Sequence, residues 1–582
     1  MIKTLAAQIR EFKLVSILTP VWMVGEVICE MIIPILMGRM VDEGIYGSDM
    51  SFIVKTGGLM LLVAVFGLFF GIMGGFCGAK ASAGFARNLR KAMHDNIQTY
   101  SFANIDKFSP SSLVTRLTTD ATNMQNTYQM ILRMAVRAPM SMIIAMIMSF
   151  VLSPQIASIY LVAVIFLVIV IGLLMSSTTK YFKKVFEKYD DLNESVQENV
   201  SAIRVVKANV REDHEINKFQ KAAANIYLMF CKAELKVTGV QPIMMGTVYT
   251  CILLISWFGA HMIVFDALTT GALMSLLTYC MNILMSLMMV AMVFVMITMS
   301  QASAKRITDV INEKSTLTNP ENPVMEVKDG SVCFDHADFA YNAESREPVL
   351  KDINIDIRSG ENIGLIGATG SAKSSLVNLI SRLYDVTAGS VSVGGLDVRK
   401  YDMTVLRDSV SVVLQQNVLF SGTILDNLRW GNKNATEEEC RAACRIACAD
   451  EFINNMPKGY ETYIEQGGTN VSGGQKQRLC IAIALLKKPK VLILDDSTSA
   501  VDTATDAKIR AAFRNELPEM TRIMIAQRIS SVKDCDRIIV MDNGTVNGIG
   551  THDELMATNE IYREVYESQT GAGADADFDK PQ

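Results

Sequence analysis

The sequence is poor in charge. Only 20% of its 582 residues are Asp, Glu, Lys or Arg, against about a quarter in an ordinary soluble chain. It has no basic block, and its 55 basic residues are outnumbered by 60 acidic ones, so nucleic acid is not an expected partner. It has no disulfide-like framework either. Eleven cysteines are scattered along a long chain, which fits a reducing compartment. Cys440, Cys444 and Cys448 fall at helical spacing with no His beside them, so they read as an apolar helix stripe. The first apolar run lacks a small-residue cleavage site and is too long for a signal-peptide core, so it is expected to remain as a membrane span.

What replaces charge is apolar surface. Half of the residues are hydrophobic and the mean hydropathy is +0.25. Of the 36 methionines, 29 fall in the first 300 residues. Charge-poor stretches longer than ~18 residues recur there, which marks candidate spans of a lipid bilayer. A wholly soluble enzyme is excluded. Six spans are expected at 14–38, 57–82, 131–153, 155–176, 240–265 and 271–300. Segments 1–13, 83–130 and 177–239 hold nineteen Lys and Arg, whereas the alternate loops hold only Arg39 and Lys55. The excess of positive charge places both termini and the two long loops in the cytoplasm.

Those two loops keep helical periodicity. Each going out as one helix and returning as another would reach ~35–45 Å from the membrane at 1.5 Å per residue. The turning points are expected near 106 and 208, beside the polar breaks Phe108-Ser109-Pro110-Ser111 and Arg211-Glu212-Asp213-His214. Such stalks with short elbows suggest levers resting on a cytoplasmic machine.

After residue 304 the pattern changes. Residues 305–325 are polar and contain Pro320 and Pro323, a linker signature. From 326 to 570, β-branched runs (330–334, 349–357, 362–366, 410–414, 491–494, 522–525 and 537–541) alternate with helical stretches, which predicts an α/β domain with a largely parallel central sheet. Residues 571–582 read as a flexible tail.

Within this domain, residues 362–376 read as a strand, a loop and a helix start. The loop contains Gly367, Thr369, Gly370, Ser371, Ala372, Lys373, Ser374 and Ser375. A loop entering a helix N-terminus aims backbone N–H groups at phosphate, Lys373 adds a mobile positive charge, and the Ser374 hydroxyl can ligate Mg²⁺. The P-loop pattern has Gly where Ala372 stands. If that position needs a positive φ, its Cβ costs about 1 kcal/mol. The run Val491–Leu494 is a buried strand ending in Asp495 and Asp496. Asp495 is placed to hold the Mg²⁺ shell and Asp496 to orient or deprotonate a water. Between the two lies a second anion-binding helix start, Ser472, Gly473, Gly474 and Gln475. The first loop does not need it, which implies an anion delivered from another chain.

Tyr341, the P-loop, Gln415, the Ser472–Gln475 signature, the Asp495 strand and Ser499-Ala-Val-Asp502 occur in the order found in ATP-binding-cassette (ABC) proteins. Six spans ahead of such a cassette resemble exporter-type half-transporters, most closely one subunit of the bacterial heterodimeric multidrug exporters. The resemblance implies a six-span α-helical transmembrane domain with long cytoplasmic helical extensions, followed by an α/β nucleotide-binding domain that uses ATP and Mg²⁺. It implies that Tyr341 stacks on adenine and that Gly370, Lys373, Ser374 and Ser375 bind phosphate and Mg²⁺. Gln415 would join Ser374 and Asp495 around Mg²⁺ and link that site to the elbows, and Ser472, Gly474 and Gln475 would close over ATP held by a partner.

Three departures share a direction. The family's catalytic Glu is Asp496 here, one methylene shorter. Its switch His is Gln527, which carries no charge. The third is Ala372. This chain's own site is therefore expected to bind ATP but hydrolyse it slowly, beside a non-identical half with Glu after its equivalent of Asp495, in a bacterial plasma membrane. A small hydrophobic or cationic substrate is expected. Met281, Met285, Met288, Met292, Met296 and Met299 line one face of the sixth span, either as packing or lipid contact or as an adaptable wall for such substrates. Glu26 and Glu30 lie one turn apart in the first span and either pair with Arg133 or Arg137 or recognise a cation. Uptake of haem or a metal chelate, and an ATP-gated channel or sensor, are the alternatives.

Overall fold

The computed structural model describes residues 1–342, 347–496 and 501–570. Ser499 and Ala500, and the expected tail at 571–582, lie outside the described residues. By contact the chain divides into two compact units, one formed by 1–98 with 111–313, the other by 99–110 with the residues from 314 onward.

The first unit is helical. The helices that carry its apolar segments are Lys13–Arg39, Met50–Ile97, Ala121–Leu152, Pro154–Ser201, Val240–Val264 and Thr270–Asn312. Among the described residues, six helical segments are long and apolar enough to cross a membrane. At 1.5 Å per residue the 48-residue helix Met50–Ile97 is about 72 Å long, well beyond a hydrocarbon core of about 30 Å. The second elbow forms where Ile203–Ala208 is followed by a break at 209–211, with Val210 at φ +51°, and Glu212–Thr238 returns.

Spans one and six cross closely. A Cβ on Gly271 would stand 2.0 Å from the Gly38 carbonyl oxygen, and a Cβ on Gly38 would stand 2.7 Å from that of Gly271. The approach is held by polar bonds. The Gly271 N–H donates to Asp42 Oδ1 at 2.8 Å, the Ser275 hydroxyl to the Pro34 carbonyl at 2.7 Å, and the buried Tyr279 hydroxyl to the Met31 carbonyl. Farther along the helix Thr270–Asn312, Arg306 donates to both oxygens of Asp120 (2.7 and 2.5 Å).

The sixth helix runs to Asn312, so 305–312 is not linker as the sequence suggests. Its polar residues occupy one face, while Ile307 and Val310 are wholly buried. The Asn96 amide donates to the Val310 and Glu313 carbonyls, at 2.8 Å each, which satisfies the carbonyls that a helix end leaves open.

The second unit holds the cassette. Its strands are β1 (Val332–Phe339), β2 (Leu350–Ile357), β3 (Asn362–Gly367), β4 (Ala388–Val393), β5 (Leu396–Asp397), β6 (Val410–Val413), β7 (Gly422–Thr423), β8 (Tyr463–Ile464), β9 (Val491–Asp495), β10 (Thr521–Ile525), β11 (Arg537–Asp542) and β12 (Thr545–Gly550). A six-stranded sheet runs β12-β11-β3-β10-β9-β6 and is parallel except for β12. The runs near 330 and 350 do not join it. They pair antiparallel in a separate four-stranded sheet, β2-β1-β4-β5. Alternating burial along β2 fits a sheet with one wet face. Among the described residues this unit holds three buried clusters, the smallest around Tyr562 and Ile366. Of the two larger ones, one surrounds β3 and the P-loop helix, and the other is mostly helical, resting on the other face of the parallel strands, and includes Cys440, Cys444 and the signature helix.

The segment 99–110 belongs to this unit. Ser101 caps the helix Phe102–Phe108 in a reciprocal box with Asn104, and Ser109 at φ +55° ends it. The Tyr384 hydroxyl donates to Asp106 Oδ2 at 2.7 Å, and the Phe102 and Tyr384 rings lie edge to face at 6.1 Å.

Candidate functional site: a P-loop beside paired carboxylates

Register places the site. Ile525 of β10 is level with Leu365 of β3 and with Asp495 of β9, so three parallel strands end along one line. Ligands of open α/β sheets bind beyond such carboxyl ends. β3 leads into the loop 367–372 and then the helix Lys373–Ile380. Gly367 admits no side chain, because a Cβ there would lie 2.3 Å from the Met541 carbonyl oxygen. Ala372 caps the helix in the left-handed region, at φ 70° and ψ 23°. This is the conformation that makes its Cβ costly, and the first prediction follows. Ala372→Gly is expected to stabilise the protein by about 1 kcal/mol. A thermal or denaturant midpoint that does not rise would count against strain at this residue.

The Lys373 ammonium donates to the Gly367 and Ala368 carbonyls, both at 2.9 Å, and to Ser371 Oγ at 3.2 Å. These bonds hold it against the loop, and burial pushes its pKa down. The Ser374 hydroxyl donates to Asp495 Oδ1 at 3.1 Å. A hydroxyl and a carboxylate converging in this way are hard oxygen ligands suited to Mg²⁺. Among the described residues no group of three or more His, Cys, Asp or Glu is placed to hold a metal ion, so Gln415 together with phosphate and water oxygens would complete a Mg²⁺ shell. Asp495 is buried, and burial pushes its carboxyl above the usual range.

Asp496 follows at φ +48°, its N–H bonded to the Ile525 carbonyl at 3.1 Å. Burial, and then the charge of Asp495, raise its carboxyl as well. Its Oδ2 accepts from Gln527 Nε2 at 2.9 Å. Two of the three residues that depart from the family pattern, Asp496 and Gln527, are therefore bonded to each other.

Tyr341 is half exposed. Its hydroxyl lies 2.9 Å from Ser375 Oγ, and its ring packs edge-on against Tyr384 at 5.1 Å. Gln415 is exposed just past β6. The signature residues lie elsewhere. Ser472 caps the helix Gly473–Leu486 by a reciprocal box with Gln475, and this helix belongs to the helical core rather than the P-loop core. Tyr384 and Asp106 were missed by the sequence reading, because they stand 278 residues apart and neither belongs to a motif.

In the membrane unit, Arg137 pairs with Glu26 at 3.4 Å and with Glu30 at 3.0 Å. Met281, Met285, Met288, Met292 and Met299 are exposed and Met296 is half-buried. They lie apart from the buried seam of Tyr279, Cys280, Ile283, Leu284 and Leu287.

Fold and site together define a membrane domain joined to an ATPase cassette, and the comparisons with known proteins agree. Residues 17–288 match the ABC transporter transmembrane region and 350–499 match the ABC transporter family of cassettes. The chain is 32% identical to the uncharacterized ABC transporter ATP-binding protein YfiB of Bacillus subtilis, over 97% of this chain and 98% of that protein. It is 35% identical to the uncharacterized ABC transporter ATP-binding protein Rv1273c of Mycobacterium tuberculosis, over 92% and 93%. A bacterial Atm1-family ABC exporter solved with ATP bound has the same fold, with a TM-score of 0.81 at 22% identity over 96% of this chain and 99% of that one. The chain belongs to the ABC transporter family, as a half-transporter of exporter-type fold carrying both a multi-pass membrane domain and an ATP-binding domain.

Proposed function

We propose that this half-transporter exports hydrophobic or amphipathic compounds across a bacterial plasma membrane, with both termini cytoplasmic, and works beside a non-identical half. In this reading its own site binds Mg²⁺–ATP and hydrolyses it slowly, while Ser472–Gln475 completes the faster site whose P-loop comes from the partner. The observation that carries the reading is the Gln527–Asp496 hydrogen bond. It engages a carboxylate already too short to reach an attacking water as a Glu would. A second chain also has surfaces to meet. The second elbow exposes Ile203, Val205 and Val210, and the cassette carries a groove of about 420 Å³ lined by Leu414, Val418, Phe420 and Trp430, the last two rings stacked at 4.2 Å.

Inside-out vesicles carrying this chain and a candidate partner test the proposal. ATP-dependent accumulation of hydrophobic dyes, absent with either chain alone, is expected. ATP-driven release of preloaded haem or metal chelate would support uptake instead, and ATP binding with no turnover under any pairing would support a sensor.

The substrate wall is tested separately. Glu30 keeps Arg137 paired when Glu26 is neutralised, so Glu26→Gln is expected to preserve protein yield while weakening transport of cationic dyes several-fold more than that of neutral ones. A parallel fall of both with yield would reduce Glu26 to an ion-pair partner.

A further inference from the structure

The loop that carries Gln527 is tied to the last described helix, Glu560–Thr570. Gln569 on that helix makes two hydrogen bonds that straddle Gln527. Its Nε2 donates to the Gln527 carbonyl at 2.8 Å, and its Oε1 accepts from the Ile529 N–H at 2.9 Å. The Gln527 side chain in turn donates to Asp496 Oδ2 at 2.9 Å. Two hydrogen bonds in succession therefore lead from the helix through Gln527 to a carboxylate at the end of β9, and the Ile529 bond braces the first of them.

The same face of the helix is anchored two turns earlier. Tyr562 is wholly buried in a cluster with Ile366, Ala526 and Ile529, and its hydroxyl lies 2.8 Å from His552 Nδ1. Ile366 is the residue of β3 just before the P-loop glycine, so the helix and the phosphate loop share one strand as a base. Ala526 bonds back to Leu365 at 3.2 Å, but Gln527 and Arg528 beyond it are exposed. Gln569 spans this stretch, with its amide matched to one acceptor and one donor of the backbone.

We propose that Gln569 is a positioning residue for the nucleotide site. It fixes the peptide of Gln527 so that the Gln527 amide is presented toward the terminal phosphate of ATP, and it thereby sets the preference for ATP over ADP. The proposal rests on the reading of the P-loop site as an ATP site. Contacts to the phosphates shared by ADP and ATP come from the P-loop amides and Lys373, none of which Gln569 touches. Its loss therefore acts on the third phosphate alone.

Competition of ATP and ADP against trinitrophenyl-ADP, on the full chain in nanodiscs with Mg²⁺, tests this. Gln569→Ala is expected to lower the ratio of ATP to ADP affinity about threefold to tenfold, the range of one net hydrogen bond, with ADP affinity unchanged. Gln569→Glu keeps the acceptor for Ile529 but turns an oxygen toward the Gln527 carbonyl, so it is expected to lower the ratio at least as far. Tyr562→Phe loosens the helix elsewhere and should leave the ratio as it is. An unchanged ratio in Gln569→Ala, an equal fall for both nucleotides, or a wild-type ratio in Gln569→Glu would overturn the proposal. A wild-type chain that binds neither nucleotide would overturn the reading of the site itself.

Discussion

Purified alone, the chain is expected to hydrolyse ATP roughly a hundredfold more slowly than when it is assembled with a half carrying Glu at the position of Asp496. Phosphoryl transfer to water is mostly a matter of holding that water in line with the γ-phosphate. Asp496 has the charge but lacks a methylene of reach, it is anchored through its N–H to Ile525, and its Oδ2 is engaged by Gln527. Changing the partner's Glu to Gln should remove most steady-state turnover, while Asp496→Asn here should change it by less than about twofold. The converse substitution is as informative. Asp496→Glu with Gln527→His lengthens the carboxylate and replaces the amide bonded to it, and should raise turnover in the isolated chain by one to two orders of magnitude. Phosphate release from detergent-purified protein measures all four cases. Full, substrate-stimulated turnover by the unmodified chain alone would sink the heterodimer reading.

Gly271→Val is expected to be the most damaging single change in the membrane domain. The Cβ it adds would sit 2.0 Å from the Gly38 carbonyl oxygen and 2.6 Å from Asp42 Oδ2. Neither backbone can yield without parting the two helices. Separation would break the Asp42 bond to the Gly271 N–H and the Ser275 bond to the Pro34 carbonyl. Overpacking of this kind costs on the order of 1–3 kcal/mol, and the lost hydrogen bonds add to it. Gly58→Val is the control, because a Cβ at Gly58 meets nothing within 4 Å. The measurements are melting midpoint and monodisperse yield. Equal behaviour of the two variants would mean that the crossing is looser than the structure draws it.

Features set by local periodicity were readable in the sequence. Apolar stretches long enough to span, the helical stalks and their breaks, and the strand-loop-helix of the P-loop all follow from neighbours a few residues apart. The expected turns near 106 and 208 fall beside the breaks at Ser109 and Val210 for that reason. What escaped depends on distant partners. The β-branched runs at 330–334 and 349–357 look like any other strands, and only their pairing with β4 separates them from the parallel sheet. Polar residues at 305–312 suggested a linker because the sequence alone does not reveal the surfaces that cover Ile307 and Val310. The site divides the same way. Lys373, Ser374 and Asp495 announce themselves by motif, whereas Gln569 is one glutamine in a polar helix until its two bonds to the backbone around Gln527 are seen.

The elbow at Phe102–Phe108 has a consequence for how the protein is made. Its partner Tyr384 lies 278 residues downstream of Asp106. At about 5–20 residues per second, a ribosome needs roughly 14–56 s to cover that distance. A seven-residue helix does not hold itself together in water, so for that interval the segment exists without a fold while the spans on either side of it are already being inserted. The membrane domain is thus emitted first but cannot be finished first. A nascent chain that stalls before the cassette leaves this stretch open to proteases and chaperones, and synthesis through Tyr384 and the strands around it is what closes the window.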